Sequence, residues 1–244
     1  LGTIWLLCAP SEADMLPTIR SRVRRVGLKV PSVTEVARLL SERDGIDPKL
    51  AMQVAAEAQS HIGMARRLAT SHEARSRRRE SLLAALHING VTAAVTAAGQ
   101  WLEVAKKDAD ALTEERDAAE KVELLKSLGV NEGDAVPPNL RVDIKNLEEA
   151  QKRRAARSLR DGIDRILVDL LALYRDILTV QLQAQANLVN EDLRATIEEV
   201  AGKSNPAQTI AKLDAISQAR TRLESNGRDI YILDALAVAL RNNH

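Results

Sequence analysis

The stretch LRDGIDRILVDLLALYRDIL, residues 159–178, decides the fold class of this 244-residue chain. Its apolar side chains recur at spacings of three and four residues, which is the period of one face of an α-helix. The spacing predicts a long amphipathic helix, and other helices must pack around it to bury that face. The residues of the apolar face are Leu159, Ile163, Ile166, Leu167, Leu170, Tyr174, Ile177 and Leu178.

Upstream of this helix, three short helices are predicted, two of them from their start signals. Ser32 and Glu35 have the spacing of a capping box, in which each side chain bonds to the backbone of the other residue. Asp47 before Pro48 predicts an N-cap followed by proline in the first helical position. The third helix is predicted to run from about Met64 into a run of arginines.

A protruding helical hairpin is predicted over about residues 103–160. Two strongly charged segments of mixed sign flank a loop that contains Pro137 and Pro138. The simpler interpretation of these charges is a solvated helix surface. Downstream, Asn205 before Pro206 starts a further helix, and an apolar helix ends the chain.

The start of the chain has a different pattern. Residues 3–9, TIWLLCA, form a continuous apolar run of strand length, which predicts a buried parallel strand. Residues 24–30, RRVGLKV, are compatible with a second short strand. Within the first run, Cys8 is expected to be an inert thiol in the core. The chain begins at Leu1 and enters the apolar run directly, which predicts that an N-terminal part is missing.

Composition excludes several classes of protein. The 35 Lys and Arg residues are balanced by 34 Asp and Glu residues, so the chain as a whole is not a strongly basic nucleic-acid module. A single cysteine excludes a disulfide framework and a cysteine-based zinc site. The four histidines are isolated, so no metal site is predicted, and the sequence has no phosphate-binding loop motif. No apolar run is long enough to predict a membrane span.

The best candidate for chemistry is Arg22. The segment LPTIRSR, residues 16–22, places Arg22 at the end of a short helix, on the rim of the predicted α/β domain. A guanidinium there could reach an anion held by a neighbouring subunit, because it is always charged and donates parallel hydrogen bonds to phosphate oxygens. A solvated basic edge formed with Arg20, Arg24 and Arg25 explains the same residues equally well.

The segment TIWLLCAPSEADMLPTIRSRV, residues 3–23, resembles the end of the nucleotide-binding domain in AAA+ clamp-loader subunits. In that family a strand and a short helix precede a Ser-Arg-Cys motif, which Ser21 and Arg22 match and from which Val23 departs. HIGMARRLA, residues 61–69, is similar to the family's second sensor, with Gly63 and Arg66 at its matching positions. LLALYRDIL (170–178) and RLESNGRDIYILDALAVAL (222–240) resemble collar helices of bacterial clamp-loader subunits.

The resemblance implies a mainly α protein with three parts. Residues 1–30 would be the remnant of an α/β AAA+ domain, and residues 31–79 a three-helix lid. Residues 80–244 would be a helical collar that holds the subunits of a ring together and carries the charged hairpin.

The resemblance also implies a role. Ala9 and Pro10 stand where ATPase members carry a polar first sensor, and neither side chain can hydrogen-bond to an attacking water. A subunit that keeps Ser21 and Arg22 without this sensor resembles the delta-prime type of the DNA polymerase III clamp loader. Arg22 would then act as an arginine finger on Mg-ATP bound by a neighbouring gamma/tau subunit.

Further expectations follow from the same resemblance. Arg66 is a weaker candidate for nucleotide sensing, and this chain would bind no cofactor itself. Its partners would be the gamma/tau and delta subunits, the sliding clamp and, through the complex, primed DNA, in the cytoplasm and away from membranes. It would belong to a nucleotidyltransferase holoenzyme without catalysing a reaction itself. A gamma/tau-type ATPase subunit and a non-enzymatic helical interaction protein are the alternatives.

Direct DNA contact is the least supported expectation. Two basic runs, one at residues 75–79 and one at residues 152–160, could contact phosphates. The acidic residues nearby and the scarcity of aromatic side chains, which make up 2% of the chain, favour salt-bridged helix surfaces instead.

Overall fold

The computed structural model describes residues 3–9, 11–127, 141–225 and 227–242, and the described part of the chain is helical. The predicted mainly α class is therefore confirmed. None of the helices described is both long and apolar enough to cross a membrane. The helices are α1 (Pro17–Arg20), α2 (Val33–Asp44), α3 (Pro48–Glu57), α4 (Ile62–Thr70), α5 (His72–Leu86), α6 (Val91–Ser127), α7 (Arg141–Gln181), α8 (Arg194–Gly202), α9 (Pro206–Glu224) and α10 (Asp229–Ala239), with 3₁₀ helices at Glu12–Asp14 and Glu191–Leu193.

The two strands predicted near the start of the chain are wrong. Residues 3–9 and 24–30 have no regular secondary structure, and the side chains of Trp5 and Leu28 are 80% and 93% exposed. A strand needs a neighbouring strand for its backbone hydrogen bonds, and no strand occurs among the described residues. The expectation of a core thiol is also wrong, because Cys8 is exposed. The AAA+ remnant over residues 1–30 stays a prediction.

The first apolar core belongs to the short helices α2, α3 and α4, and the predicted caps fix where two of them begin. The Ser32 hydroxyl accepts the backbone N–H of Glu35 at 3.2 Å, and the Glu35 carboxylate accepts the N–H of Ser32 at 2.7 Å. Gly45, with φ of +68°, ends α2 in the left-handed conformation. Asp47 caps α3 by accepting the N–H of Lys49 at 3.0 Å. The buried residues of this core run from Val36 to Ala74.

The third helix predicted in this region is wrong, because two helices occupy its place. Ser71 lies between them in an extended conformation, and its hydroxyl accepts the backbone N–H of Ala74 at 3.1 Å. The Ser71 side chain thereby starts α5, which turns away from α4 and continues past residue 79. The same helix supplies Ala74 to the first core and Leu82 to the second.

The second core surrounds α7, the helix that carries the opening stretch. Leu167, Leu170 and Ile177 are buried in it, as their spacing predicts. The helices α5, α6, α8 and α9 pack against α7, and α10 packs on α6 and α9. Trp101 of α6 is fully buried and its indole N–H donates to the carbonyl of Ser81 on α5 at 3.0 Å. The two apolar cores therefore share α5 and are otherwise separate clusters.

Two long helices occupy the region of the predicted charged hairpin. The buried residues of α6 in the apolar core end at Ala105, whereas the helix itself continues to Ser127. Beyond the core, Arg154 of α7 holds the two helices together through Asp117, at 2.5 Å, and Glu120, at 3.0 Å. The predicted loop residues Pro137 and Pro138 lie outside the described residues.

Candidate functional site: the Arg22 turn and a buried charged junction

Arg22 lies on the surface immediately after α1. Pro17 starts this single-turn helix, and Ser21 follows its last residue. The Ser21 hydroxyl donates to the carbonyl of Thr18 at 3.2 Å, and Nη1 of Arg22 donates to the same carbonyl at 2.5 Å. Because a guanidinium has five N–H donors, this contact leaves donors that can face solvent or a partner. The turn therefore presents a permanent cation at the protein surface.

The two sensor positions have different surroundings. Arg66 of α4 is exposed, and its Nε lies 3.6 Å from the carboxylate of Asp44, which also pairs with Arg43 at 2.9 Å. The hydrogen bond from Arg43 lowers the pKa of Asp44 below its usual value. Ala9 is exposed, and Pro10 lies outside the described residues. No hydrogen bond or ion pair of the described residues links the turn of Arg22 to α4.

A second polar site, which the sequence interpretation missed, lies between the two apolar cores. It forms where α3, α5 and α7 meet the segment that precedes Glu191. Its members are charged or amide side chains largely removed from solvent. We call it the junction cluster, and it consists of Glu57, Arg78, Arg165, Asp169, Asp176 and Asn190.

Arg78 is the centre of the junction cluster. Its side chain is 7% exposed, and Nη2 donates to Oδ1 of Asn190 at 2.7 Å. Its Nε lies 3.3 Å from the carboxylate of Asp169 without a hydrogen-bond geometry, and Nη1 lies 3.7 Å from that of Glu57. Three elements of the fold thus converge on one guanidinium.

Arg165 is the second cation of the junction cluster. It forms an ion pair with Asp169 one turn further along α7, and Nη2 donates to the backbone carbonyl of Glu57 at 3.0 Å. Arg78 and Arg165 therefore face the carboxylates of Glu57 and Asp169, while the third carboxylate of the cluster, that of Asp176, accepts N–H groups of residues 189 and 190. Burial raises the pKa of Glu57, and the nearby charge of Arg78 opposes that rise.

Asp176 fixes the amide that binds Arg78. Its fully buried carboxylate accepts the N–H of Val189 at 3.1 Å and that of Asn190 at 2.8 Å. It also accepts Nδ2–H of Asn190 at 2.9 Å, which leaves Oδ1 of the amide to face Arg78. The order Asp176, Asn190, Arg78 is thus a continuous chain of buried hydrogen bonds from α7 to α5.

The junction cluster joins the two cores by directional contacts. Glu57 ends α3 in the first core, and Asp169 and Asp176 belong to the helix at the centre of the second. Charge-assisted hydrogen bonds form only over a small range of distances and angles, so they fix the orientation of one helical unit relative to the other. The arrangement is suited to holding or transmitting an orientation between the two units.

The sequence contained one signal for the junction cluster. Asp169 and Asp176 are seven residues apart in the helix of the opening stretch, so they lie on one face of it, beside buried residues. Acidic residues on such a face need cationic or N–H partners. Arg78 itself was expected on a basic surface, and this is corrected by its burial.

Several arginines of the two basic runs form ion pairs with acidic residues of the protein. Arg77 pairs with Asp108 at 2.8 Å, and Arg79 pairs with Asp192 at 2.6 Å. In the second run, Arg160 lies 3.8 Å from Asp229. These contacts fit the expected salt-bridged helix surfaces better than a DNA-binding patch.

Residues 145–234 are matched by the family model described as DNA polymerase III, delta subunit, C terminal. The match covers most of α7, all of α8 and α9, and the first half of α10. No curated protein and no solved structure matches the chain. The matched region is thus similar to the C-terminal domain of a clamp-loader component, which supports the clamp-loader resemblance. The two indications of subunit type differ, because the family model is that of delta, whereas the residues near Arg22 predict delta-prime.

Proposed function

We propose that this chain is a subunit of a DNA polymerase III clamp loader and that α6 to α10 assemble it with the other subunits. The observation that carries the proposal is the position of the family match, which falls on α7 to α10 of the second core. The surface of this bundle carries exposed apolar side chains that could contact another subunit. Val91 and Val95 lie one turn apart on α6, and both are exposed.

Within this assembly we propose that Arg22 acts as an arginine finger, which is the role expected of a delta-prime subunit. Its exposure and permanent charge support the assignment, as does its position on a turn that Ser21 and Thr18 stabilise. A finger supplied in trans contributes a factor of about 10³–10⁵ to NTP turnover. Arg66 is a secondary candidate for contact with nucleotide, in competition with its ion pair to Asp44.

The second candidate is the delta subunit of the same loader. The observation in its favour is that the matching family model is that of delta. In that case the helical bundle has the same assembly role, and Arg22 belongs to an exposed basic edge together with Arg24 and Arg25.

The test is a loader reconstituted with this chain, in which Arg22→Ala is compared with Arg24→Ala. Both arginines are exposed and only two residues apart, so the control removes the same charge from the same segment. We expect Arg22→Ala to lower DNA-stimulated ATP turnover at least about tenfold and Arg24→Ala to leave it unchanged.

Two other outcomes are informative. If Arg22→Ala assembles and turns over ATP like the parent complex, the finger role is wrong and the delta assignment is favoured. If the unmodified chain does not co-elute with the other loader subunits on size exclusion, the clamp-loader proposal itself is contradicted.

A further inference from the structure

A small cavity of about 30 Å³ lies where α4, α5, α6 and α7 meet, beside the junction cluster. The clamp-loader role proposed above does not use it. A cavity needs about 10–15 Å³ to hold one water molecule, whereas sites for organic ligands have volumes of roughly 300–1,000 Å³. The cavity therefore has room for a water molecule or a monatomic ion, and it is too small for an organic ligand.

Two buried residues of α5 line the cavity and lie one turn apart on that helix. As whole residues, Arg78 and Ser81 are 9% and 5% exposed. Within the part of the chain that the structure describes, neither Nε of Arg78 nor the hydroxyl oxygen of Ser81 has a hydrogen-bond partner. Buried polar groups are nearly always hydrogen-bonded, because an unpaired group loses its hydration without compensation. A ligand that bonds to both groups would satisfy them together.

Neighbouring contacts fix the polar groups around the cavity. The carboxylate of Asp169 also lines it and lies 3.3 Å from Nε of Arg78, but not in hydrogen-bond geometry. Asp169 is held by its ion pair with Arg165 on the same helix. On α5, the carbonyl of Ser81 accepts the indole N–H of Trp101 at 3.0 Å, which ties this residue to α6. A donor, a hydroxyl and a carboxylate therefore surround the cavity in fixed positions.

The charges and hydrogen-bonding roles of these groups select water over an ion. The carboxylates of Asp108 and Asp169 both line the cavity, and Asp108 pairs with Arg67 at 2.7 Å. An N–H group only donates, a carboxylate only accepts, and a hydroxyl does both. A halide ion cannot donate to a carboxylate, and a metal cation cannot accept an N–H group. Water can do both.

We propose that this cavity binds one water molecule that accepts Nε–H of Arg78, donates to the carboxylate of Asp169 and hydrogen-bonds to the Ser81 hydroxyl. Such a water links α5, the helix that both cores share, to α7, the central helix of the second core. It makes this link where the direct contact between Arg78 and Asp169 lacks hydrogen-bond geometry. The inference does not depend on the clamp-loader proposal.

The direct test is a crystal structure of the full chain at a resolution that shows ordered water. We expect density for one water within about 3.2 Å of both Nε of Arg78 and Oγ of Ser81. A second crystal, soaked in sodium bromide, is expected to give no anomalous peak in the cavity. The proposal is overturned if the cavity shows no water density, if bromide occupies it, or if Nε donates directly to Asp169.

NMR in solution tests the same bridge. We expect cross-relaxation between a long-lived water and the Hε proton of Arg78. Ser81→Ala removes one of the three partners of the water and is expected to weaken this cross-peak at least about threefold. The control is Ser76→Ala on the same helix, where the hydroxyl donates to Glu80 at 2.8 Å, and it is expected to leave the cross-peak unchanged. Absence of the cross-peak in the parent, or its full intensity in a folded Ser81→Ala protein, would also overturn the proposal.

Discussion

Arg78 and Asn190 are separated by 112 residues and joined by a hydrogen bond of 2.7 Å inside the protein. Arg78 belongs to α5, the helix that both apolar cores share, and Asn190 follows the central helix of the second core. Asp176 holds the amide of Asn190 from the other side. The two helical units are therefore held in place by a buried polar contact, which predicts how the protein responds to changes there.

Replacing Arg78 by methionine is expected to lower the free energy of unfolding by about 3–5 kcal/mol. The substitution leaves the carboxylate of Glu57 without its cationic partner and Asn190 without its donor. Urea denaturation at neutral pH measures the change.

The matched control is Arg79→Met, on the same helix. Arg79 is exposed and pairs with Asp192 at the surface, so its loss is expected to cost at most about 1 kcal/mol. Equal effects of the two substitutions would contradict the role given to the buried cation.

The parent protein is expected to lose stability as the pH rises because the carboxyl group of Glu57 ionises. The variant Glu57→Gln, which has no ionisable group at this position, is expected not to show this loss. Because burial raises the pKa of Glu57, the folded state holds this proton more tightly than the unfolded state does. The free energy of unfolding of the parent protein therefore falls, relative to Glu57→Gln, from pH 4.5 towards neutrality. Each unit of raised pKa contributes about 1.4 kcal/mol.

Parallel urea denaturation series of the two proteins across this pH range measure the difference. A difference that grows in favour of the parent with rising pH would mean that Arg78 outweighs the effect of burial, and would contradict the expectation.

Gly162→Ala is expected to be less stable than Gly99→Ala by about 1–3 kcal/mol. A Cβ at Gly162 would lie 3.2 Å from the carbonyl oxygen of Ala105, where α7 approaches α6, and backbone atoms cannot easily move aside. A Cβ at Gly99 meets no atom of the described structure within 4 Å, so Gly99→Ala gains helix propensity, about 1 kcal/mol. Thermal and urea denaturation of both variants measure the difference in stability. Equal stabilisation by the two substitutions would show that α6 and α7 can move apart without loss of stability, and would contradict the expectation.

Local sequence signals correctly predicted where several helices begin. Ser32, Asp47 and Asn205 begin helices as expected, since each cap depends on residues two or three positions away. The sequence did not predict the break at Ser71. The helical pattern continues on both sides of this serine, so it is compatible with one long helix as well as with two. The candidate residue Arg22 was predicted to lie at the end of a short helix, and it follows the last residue of α1 by two positions.

By itself, the sequence determined the helical class, the buried face of α7 and the caps, because periodicity and capping act over a few neighbouring residues. The tertiary structure decided that residues 3–9 form no strand, because a strand exists only if another strand is available to it. It also decided that Arg78 is buried while Arg79, its neighbour, remains exposed. That difference depends on Glu57, Asp169 and Asn190, which are distant in the chain and meet the guanidinium only when the two helical units pack together.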